Sequence, residues 1–142
     1  MRVGIAGYGV VGKTRHRSIE SNTSYQITAI SESSEEARKS IPVGIKIYND
    51  YKSLIASADI DVIFISLPNL FAAEAACLSL QRGLHVFCEK PPGRTTQDII
   101  DVIEIEKTTP NLKLKYGFNH RYHDSVQEAL KIIKSNKLGK II

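Results

Sequence analysis

The chain has 142 residues, 42% of them hydrophobic and 24% charged, with a formal net charge of +4. That length and balance suit one globular domain with a real core, and no apolar run approaches the ~20 residues of a membrane span. The start, Met1-Arg2-Val3-Gly4, lacks the leader and cleavage pattern of a signal peptide, and the two cysteines, Cys77 and Cys88, form neither a metal spacing nor a disulfide framework. A cytoplasmic protein is expected.

A strand at 2–6 runs straight into Gly7-Tyr8-Gly9-Val10-Val11-Gly12, a G-x-G-x-x-G at the turn into a helix over 10–22. Gly7 suits the tight turn, Gly9 leaves the backbone open to a pyrophosphate, and Gly12 allows close helix–strand packing. The anion would rest on the helix N-terminus, where unpaired N–H groups and the dipole favour it. A second strand at 26–31 ends at Glu32, 20 residues after Gly12. A carboxylate there accepts from ribose hydroxyls and repels a 2′-phosphate, so NAD is the expected cofactor. Ser33 and Ser34 can also contact a phosphate, so NADP is not excluded, and Arg38 lies further along the next helix. The bland alternative for Glu32 is a surface residue at a strand end.

Short helices over 34–40 and 51–57 flank a strand near 45–48. The strand at 61–66, Asp61-Val62-Ile63-Phe64-Ile65-Ser66, is apolar at successive positions, which requires cover on both faces. Pro68 and Asn69 follow it, where Asn69 either contacts the nicotinamide ribose or caps the next helix. That helix, 70–82, places Leu70, Ala73, Ala76, Cys77 and Leu80 on one face. A strand at 84–88 ends in Glu89-Lys90-Pro91-Pro92-Gly93, on the ligand side of such a sheet. Pro91 restrains Lys90 to an extended backbone, and the Lys90–Pro91 bond has the small trans preference of any proline bond. Lys90 is the candidate catalytic residue, because a lysine tuned by desolvation or a nearby cation can take and return a hydroxyl proton. A surface Glu-Lys pair before a turn is the competing explanation.

The next helix, 95–108, starts near Thr96 with Asp98 in its first turn and places Ile99, Val102, Ile103 and Glu106 along a face. After a strand at 113–118 comes Asn119-His120-Arg121-Tyr122-His123, from which Asn119 or Arg121 can approach cofactor or substrate. His120 and His123 lack further ligands for a metal site. Residues 122–136 read as an amphipathic helix, Gly139 as a stop, and Ile141-Ile142 as the start of another strand. A chain ending there is expected to continue into a second domain. The basic charge gathers in residues 113–142, where Lys131, Lys134, Lys137 and Lys140 recur every three residues. With no nucleic-acid motif beside them, they read as a solvated helix face, and no nucleic-acid partner is expected. Strands alternating with helices predict an α/β fold of Rossmann type, a doubly wound parallel sheet with right-handed crossovers. The expected division is a dinucleotide-binding Rossmann domain over 1–120 and, over 121–142, a connecting helix and the start of a C-terminal domain.

The glycine triad, the acid after the second strand, Pro68-Asn69, Glu89-Lys90-Pro91 preceded by Gly83-Leu84-His85-Val86, and Asn119-x-Arg121-Tyr122 together resemble the glucose–fructose oxidoreductase / inositol dehydrogenase family over the whole chain. The resemblance implies a two-domain oxidoreductase whose second α/β domain binds much of the substrate and forms a homo-oligomer. It implies cofactor roles for Gly7, Gly9, Gly12, Glu32, Pro68, Asn69 and Glu89, and the lysine role for Lys90; Tyr8, Val10 and Val11 within the glycine turn, and Asn119, are expected to border the cofactor as well. Members often carry His four residues after the proline of the Pro-Asn motif, where this chain has Ala72.

The expected function is NAD-dependent hydride transfer to or from a secondary hydroxyl of a sugar, sugar nucleotide or cyclitol. Competing functions are a non-catalytic dinucleotide sensor, an NAD-dependent glycosidase of the same family, and a basic nucleic-acid-binding module.

Overall fold

Strands that are apolar at successive positions need cover on both faces, and the fold supplies it. The computed structural model describes residues 1–135 and 137–140. In chain order the elements are β1 (Arg2–Ala6), α1 (Val10–Glu20), β2 (Gln26–Ser31), α2 (Glu35–Arg38), β3 (Lys46–Tyr48), α3 (Tyr51–Ser57), β4 (Val62–Ile65), α4 (Asn69–Gln81), β5 (His85–Cys88), α5 (Thr96–Thr108), β6 (Leu114–Tyr116), a 3-10 turn (Asn119–Tyr122) and α6 (Asp124–Lys134). The six strands form one sheet in the order β3-β2-β1-β4-β5-β6, and every pairing is parallel. This is the doubly wound dinucleotide topology, whose strand order reverses between β1 and β4.

Each face of the sheet has its own core. On one, Val3, Ile5, Ile30 and Val62 pack with Tyr8, Ile19 and Ile41. On the other, Ile63, Ile65, Val86 and Cys88 meet Leu54 and Ile55 of α3, Leu80 of α4 and Val102 of α5. Side chains such as Ile5 and Leu54, with no exposed surface, each contribute about 2 kcal/mol from burial. α4 is buried more broadly than its predicted stripe: Ala72, Ala75 and Ser79 are buried along with Ala73, Ala76 and Leu80. Small side chains let it sit between α3, α5 and the sheet, while Leu70 stays exposed. On α5, Val102 is buried as expected, but Ile103 is exposed and Ile105 packs against the core instead.

Helix ends follow local chemistry. The Asp50 side chain accepts from Ser53 N–H at 2.8 Å and caps α3. Thr95, one residue before the predicted start, caps α5, with Asp98 closing a reciprocal capping box. α6 ends at Lys134 with Ser135 as its cap, well before Gly139. The expected strand at Ile141-Ile142 lies outside the described residues. Lys131, Lys134, Lys137 and Lys140 are exposed, and Lys131 pairs with Glu128 at 3.1 Å.

Candidate dinucleotide site

The turn after β1 shows why glycines occupy it. Gly7 has φ +87°, and a Cβ there would stand 2.6 Å from the Ser66 carbonyl oxygen, across the point where the strand order reverses. Its N–H donates to Ser31 O at 2.9 Å, tying the turn to the end of β2. A Cβ on Gly12 would run into the Gly7 carbonyl oxygen, so the bare glycine lets α1 lie against the turn. Gly9 differs: a Cβ there would meet nothing within 4 Å. Its lack of a side chain answers no demand of the protein's own packing. Gly9 is the N-cap of α1, and the first helical bond runs from Lys13 N–H to Gly9 O at 3.0 Å. The N–H groups of Val10, Val11 and Gly12 therefore point out of the helix end. Val10 is 84% exposed at that end.

Beside this turn lies a cleft of about 470 Å³, lined by Gly7, Gly9, Ser31, Glu32, Ser33, Asn49, Asp50, Tyr51, Ser66, Leu67, Pro68 and Phe71. Glu32 sits at the tip of β2 as predicted. Its two carboxylate oxygens accept from Tyr8 N–H at 2.8 Å and Ser34 N–H at 2.9 Å. It thus joins the glycine turn to the loop after β2 while retaining lone pairs for a ribose. Arg38 folds back, its guanidinium donating to the carbonyls of Glu32 at 2.7 Å and Ser33 at 2.9 Å. The hydroxyl oxygens of Ser31 and Ser66 are buried with no partner among the described residues, although both residues line the cleft. The open space at Gly9, the outward N–H groups, the carboxylate at β2 and these two orphaned hydroxyls fit the adenosine and pyrophosphate parts of a dinucleotide.

Tyr8 anchors the turn from below. Its ring is buried and its hydroxyl lies 3.0 Å from His16 Nδ1, while His16 Nε2 faces Glu20 at 3.0 Å. Burial, and next the Glu20 charge, push the Tyr8 hydroxyl pKa upward. Asn69 is the first residue of α4, the N-cap is Pro68 and no side chain caps this end, so the capping alternative for Asn69 is not realised. Ala72 is buried in α4.

The far end of the crevice is built by β5 and β6. Glu89 N–H donates to Ile65 O at 2.9 Å, fixing the exit of β5 beside β4. Its carboxylate is held by the Arg15 guanidinium, which also donates to Asn119 Oδ1 at 3.3 Å and lies 4.9 Å over the Phe87 ring. Phe87 in turn stacks on Phe64 at 5.0 Å. Lys90 is exposed at this edge, and its bond to Pro91 is cis. The structure thus brings Glu89 and Asn119 together on Arg15, with Lys90 next in the chain, and Gly7, Gly9, Glu32 and Pro68 to the wall of the cleft. No group of three or more His, Cys, Asp or Glu residues suited to a metal occurs among the described residues, and none of their helices is long and apolar enough to cross a membrane.

The sequence reading missed Asn49, Asp50, Tyr51 and Phe71 of the cleft wall, and Arg15. The cleft residues follow from sheet order, since β3 neighbours β2. Arg15 was signalled by its place three residues after Gly12, on the helix face that packs closest to the sheet.

Residues 1–118 match the model of an oxidoreductase family with an NAD-binding Rossmann fold. The chain belongs to that family. Over 145 residues it is 30% identical to inositol 2-dehydrogenase of Salmonella typhimurium, covering 99% of this chain and 43% of the relative. The crystal structure of myo-inositol 2-dehydrogenase from Lactobacillus plantarum superposes with a TM-score of 0.90 at 31% identity, over 100% of this chain and 43% of that one. A scyllo-inositol dehydrogenase from Lactobacillus casei, with bound NAD(H) and scyllo-inositol, superposes at TM-score 0.88 and 28% identity, over 99% of this chain and 43% of that one. The chain thus spans less than half the length of these relatives.

Proposed function

We propose that this chain provides the cofactor-binding part of an NAD-dependent dehydrogenase acting on a secondary hydroxyl of a cyclitol or related sugar. The observation that supports the reading is that Glu32 directly follows β2 and Lys90 follows β5 after one residue, so that both stand at the carboxyl edge of one parallel sheet, on either side of the point where its strand order reverses. The glycine turn and the N-terminus of α1 hold the pyrophosphate, Glu32 the adenosine ribose, Pro68 forms part of the cleft wall beside them, and Asn69, Glu89 and Asn119 border the nicotinamide half. Bound nicotinamide supplies a hydride acceptor or donor. Lys90 Nζ, exposed at the end of β5, orients the reacting hydroxyl and takes or returns its proton. The inositol dehydrogenases among its relatives support a cyclitol as the substrate class.

The family match ends at residue 118, which supports a dinucleotide-binding unit over 1–120 with 121–142 as a connecting segment. Unpaired Cys77 and Cys88 support a reducing, cytoplasmic setting. A homo-oligomer of the whole enzyme is part of the same proposal.

The test is a fluorescence titration of the chain with NADH and separately with NADPH, free of tryptophan background because the chain has none. Saturable NADH binding, at least about tenfold tighter than NADPH, is expected from repulsion between Glu32 and a 2′-phosphate. Equal or tighter NADPH binding overturns the role of Glu32, and binding of neither overturns the dinucleotide site. Lys90→Met should keep the NADH affinity and abolish turnover of a cyclitol by the whole enzyme.

A further inference from the structure

We infer that Arg15 sets the balance between oxidised and reduced dinucleotide in this crevice, by neutralising the carboxylate that β5 delivers to its nicotinamide end. The inference rests on the dinucleotide reading above and adds a residue that the glycine motif does not include. Glu89 directly follows β5, and its side chain is only 11% exposed; that of Arg15 is 20% exposed. The guanidinium engages Glu89 Oε1 through both Nε and Nη2. It lies over the Phe87 ring and is tethered to Asn119. The other carboxylate oxygen, Oε2, is packed against Gly117, where a Cβ would stand 2.7 Å away. Glycine at 117 leaves room for this oxygen, and the carboxylate's charge is cancelled by Arg15 where it sits.

That cancellation matters because the two forms of the cofactor differ in charge: the oxidised nicotinamide ring is a cation and the reduced ring is neutral. An unpaired carboxylate at the end of β5 attracts the first and is indifferent to the second. With Arg15 in place the pair presents little net charge, so the site tolerates both forms, as a reversible hydride exchange requires. Even at about 12 Å and an effective dielectric near 20, one uncompensated charge biases a unit cation by about tenfold. Lys90 adds the same background in every variant compared and drops out of the comparison.

The test measures Kd for NAD+ by calorimetry and for NADH by fluorescence, on the parent chain, Arg15→Met, Glu89→Gln and the double variant. Arg15→Met should lower the ratio Kd(NAD+)/Kd(NADH) about tenfold, and Glu89→Gln should raise it. The double variant should return within about threefold of the parent, the mark of one coupled pair. A purely structural role for Arg15 would weaken both forms together and leave the ratio unmoved. Ratios within about threefold of the parent in both single variants, or shifts in the same direction, overturn the inference. Should Arg15→Met fail to fold by circular dichroism, Glu89→Gln decides together with Arg15→Lys, which keeps the charge and should hold the parent ratio. A parent chain that binds neither form removes the dinucleotide reading and this inference with it. A parent that binds both, with a ratio insensitive to residues 15 and 89, removes this inference alone.

Discussion

Replacing Gly9 and Gly12 by alanine, one at a time, separates the two jobs of the glycine turn. At Gly9 the backbone has φ −70° and ψ −162°, an extended conformation open to any L-residue, and an added Cβ meets nothing within 4 Å. Alanine there loses about 0.5–1 kcal/mol as a poorer N-cap than glycine and regains about 0.4–1 kcal/mol from the stiffer unfolded chain. The net change is within about 0.5 kcal/mol, or about 2 °C in Tm for a chain of this size. In the proposed site the same methyl fills the space left for the pyrophosphate, so NADH affinity should fall by ten- to a hundredfold, the effect of an overpacked contact. Gly12→Ala drives its Cβ into the Gly7 carbonyl, and that peptide cannot retreat. Gly7 N–H is bonded to Ser31, and the Ser66 carbonyl oxygen is close enough that a Cβ on Gly7 would stand 2.6 Å from it. A destabilisation of about 2 kcal/mol or more is expected, lowering Tm by about 8 °C. Thermal melts followed by circular dichroism, paired with NADH titrations at a temperature where both variants are folded, read the two effects. A Gly9→Ala protein that melts more than about 5 °C below the parent, or binds NADH like it, refutes the reasoning. So does a Gly12→Ala protein that melts with the parent.

Two further outcomes probe stability away from the crevice. The Arg2 side chain donates to Asp61, as does the Arg2 backbone N–H at 2.7 Å, and together they hold the Asp61 carboxyl down at about 2. A carboxylate depressed in the folded state stabilises above its ordinary pKa near 4 and loses that contribution as pH falls from about 4 toward 2. Asp61→Asn should therefore flatten part of the fall in Tm between pH 5 and pH 2; identical slopes in parent and variant would rule the pair out as an acid-sensitive tie. Thr95→Ala removes the cap of α5 and should cost about 1 kcal/mol by urea unfolding with an unchanged m-value, whereas Thr96→Ala, one position inside the helix, should cost less than half as much.

The fold was readable because its signals are local. Continuous apolar strands such as Val62-Ile63-Phe64-Ile65 announce a sheet covered on both faces, and their alternation with helices leaves few topologies other than the one observed. Gly7 and Glu32 were equally readable, since each sits at a strand end whose position follows from the chain itself. What failed were choices settled by packing between distant elements. The exposure of Ile103 beside a partly buried Ile105 depends on how α5 lies over α4, and the two positions look alike within the periodicity of one helix. Asn69 offered two roles, and Pro68 took the N-cap position. The cleft wall at Asn49, Asp50 and Tyr51 becomes a wall only once β3 is known to neighbour β2.

Arg15 is the sharper case, because part of its role was implicit in a residue already read correctly. Gly12 has no side chain so that α1 can rest on the turn after β1. A residue three positions later lies on the same helix face and is carried down with it onto the sheet. The sheet order then decides what it meets. With β4 and β5 following β1, the long side chain at position 15 reaches across to Phe87 and Glu89, 74 residues away for the carboxylate, and to Asn119, 104 residues away. A motif reading assigns the helix after the glycines to phosphate binding and stops there. The close approach that Gly12 permits has a second consequence, because it places a cation from α1 against the carboxylate that follows β5, at the proposed nicotinamide end. One glycine thereby couples the two halves of the crevice: any substitution that lifts α1 off the turn should disturb Arg15 and Glu89 as well as the pyrophosphate. This is why damage at Gly12 is expected to reach both stability and cofactor binding, whereas damage at Gly9 stays with the ligand.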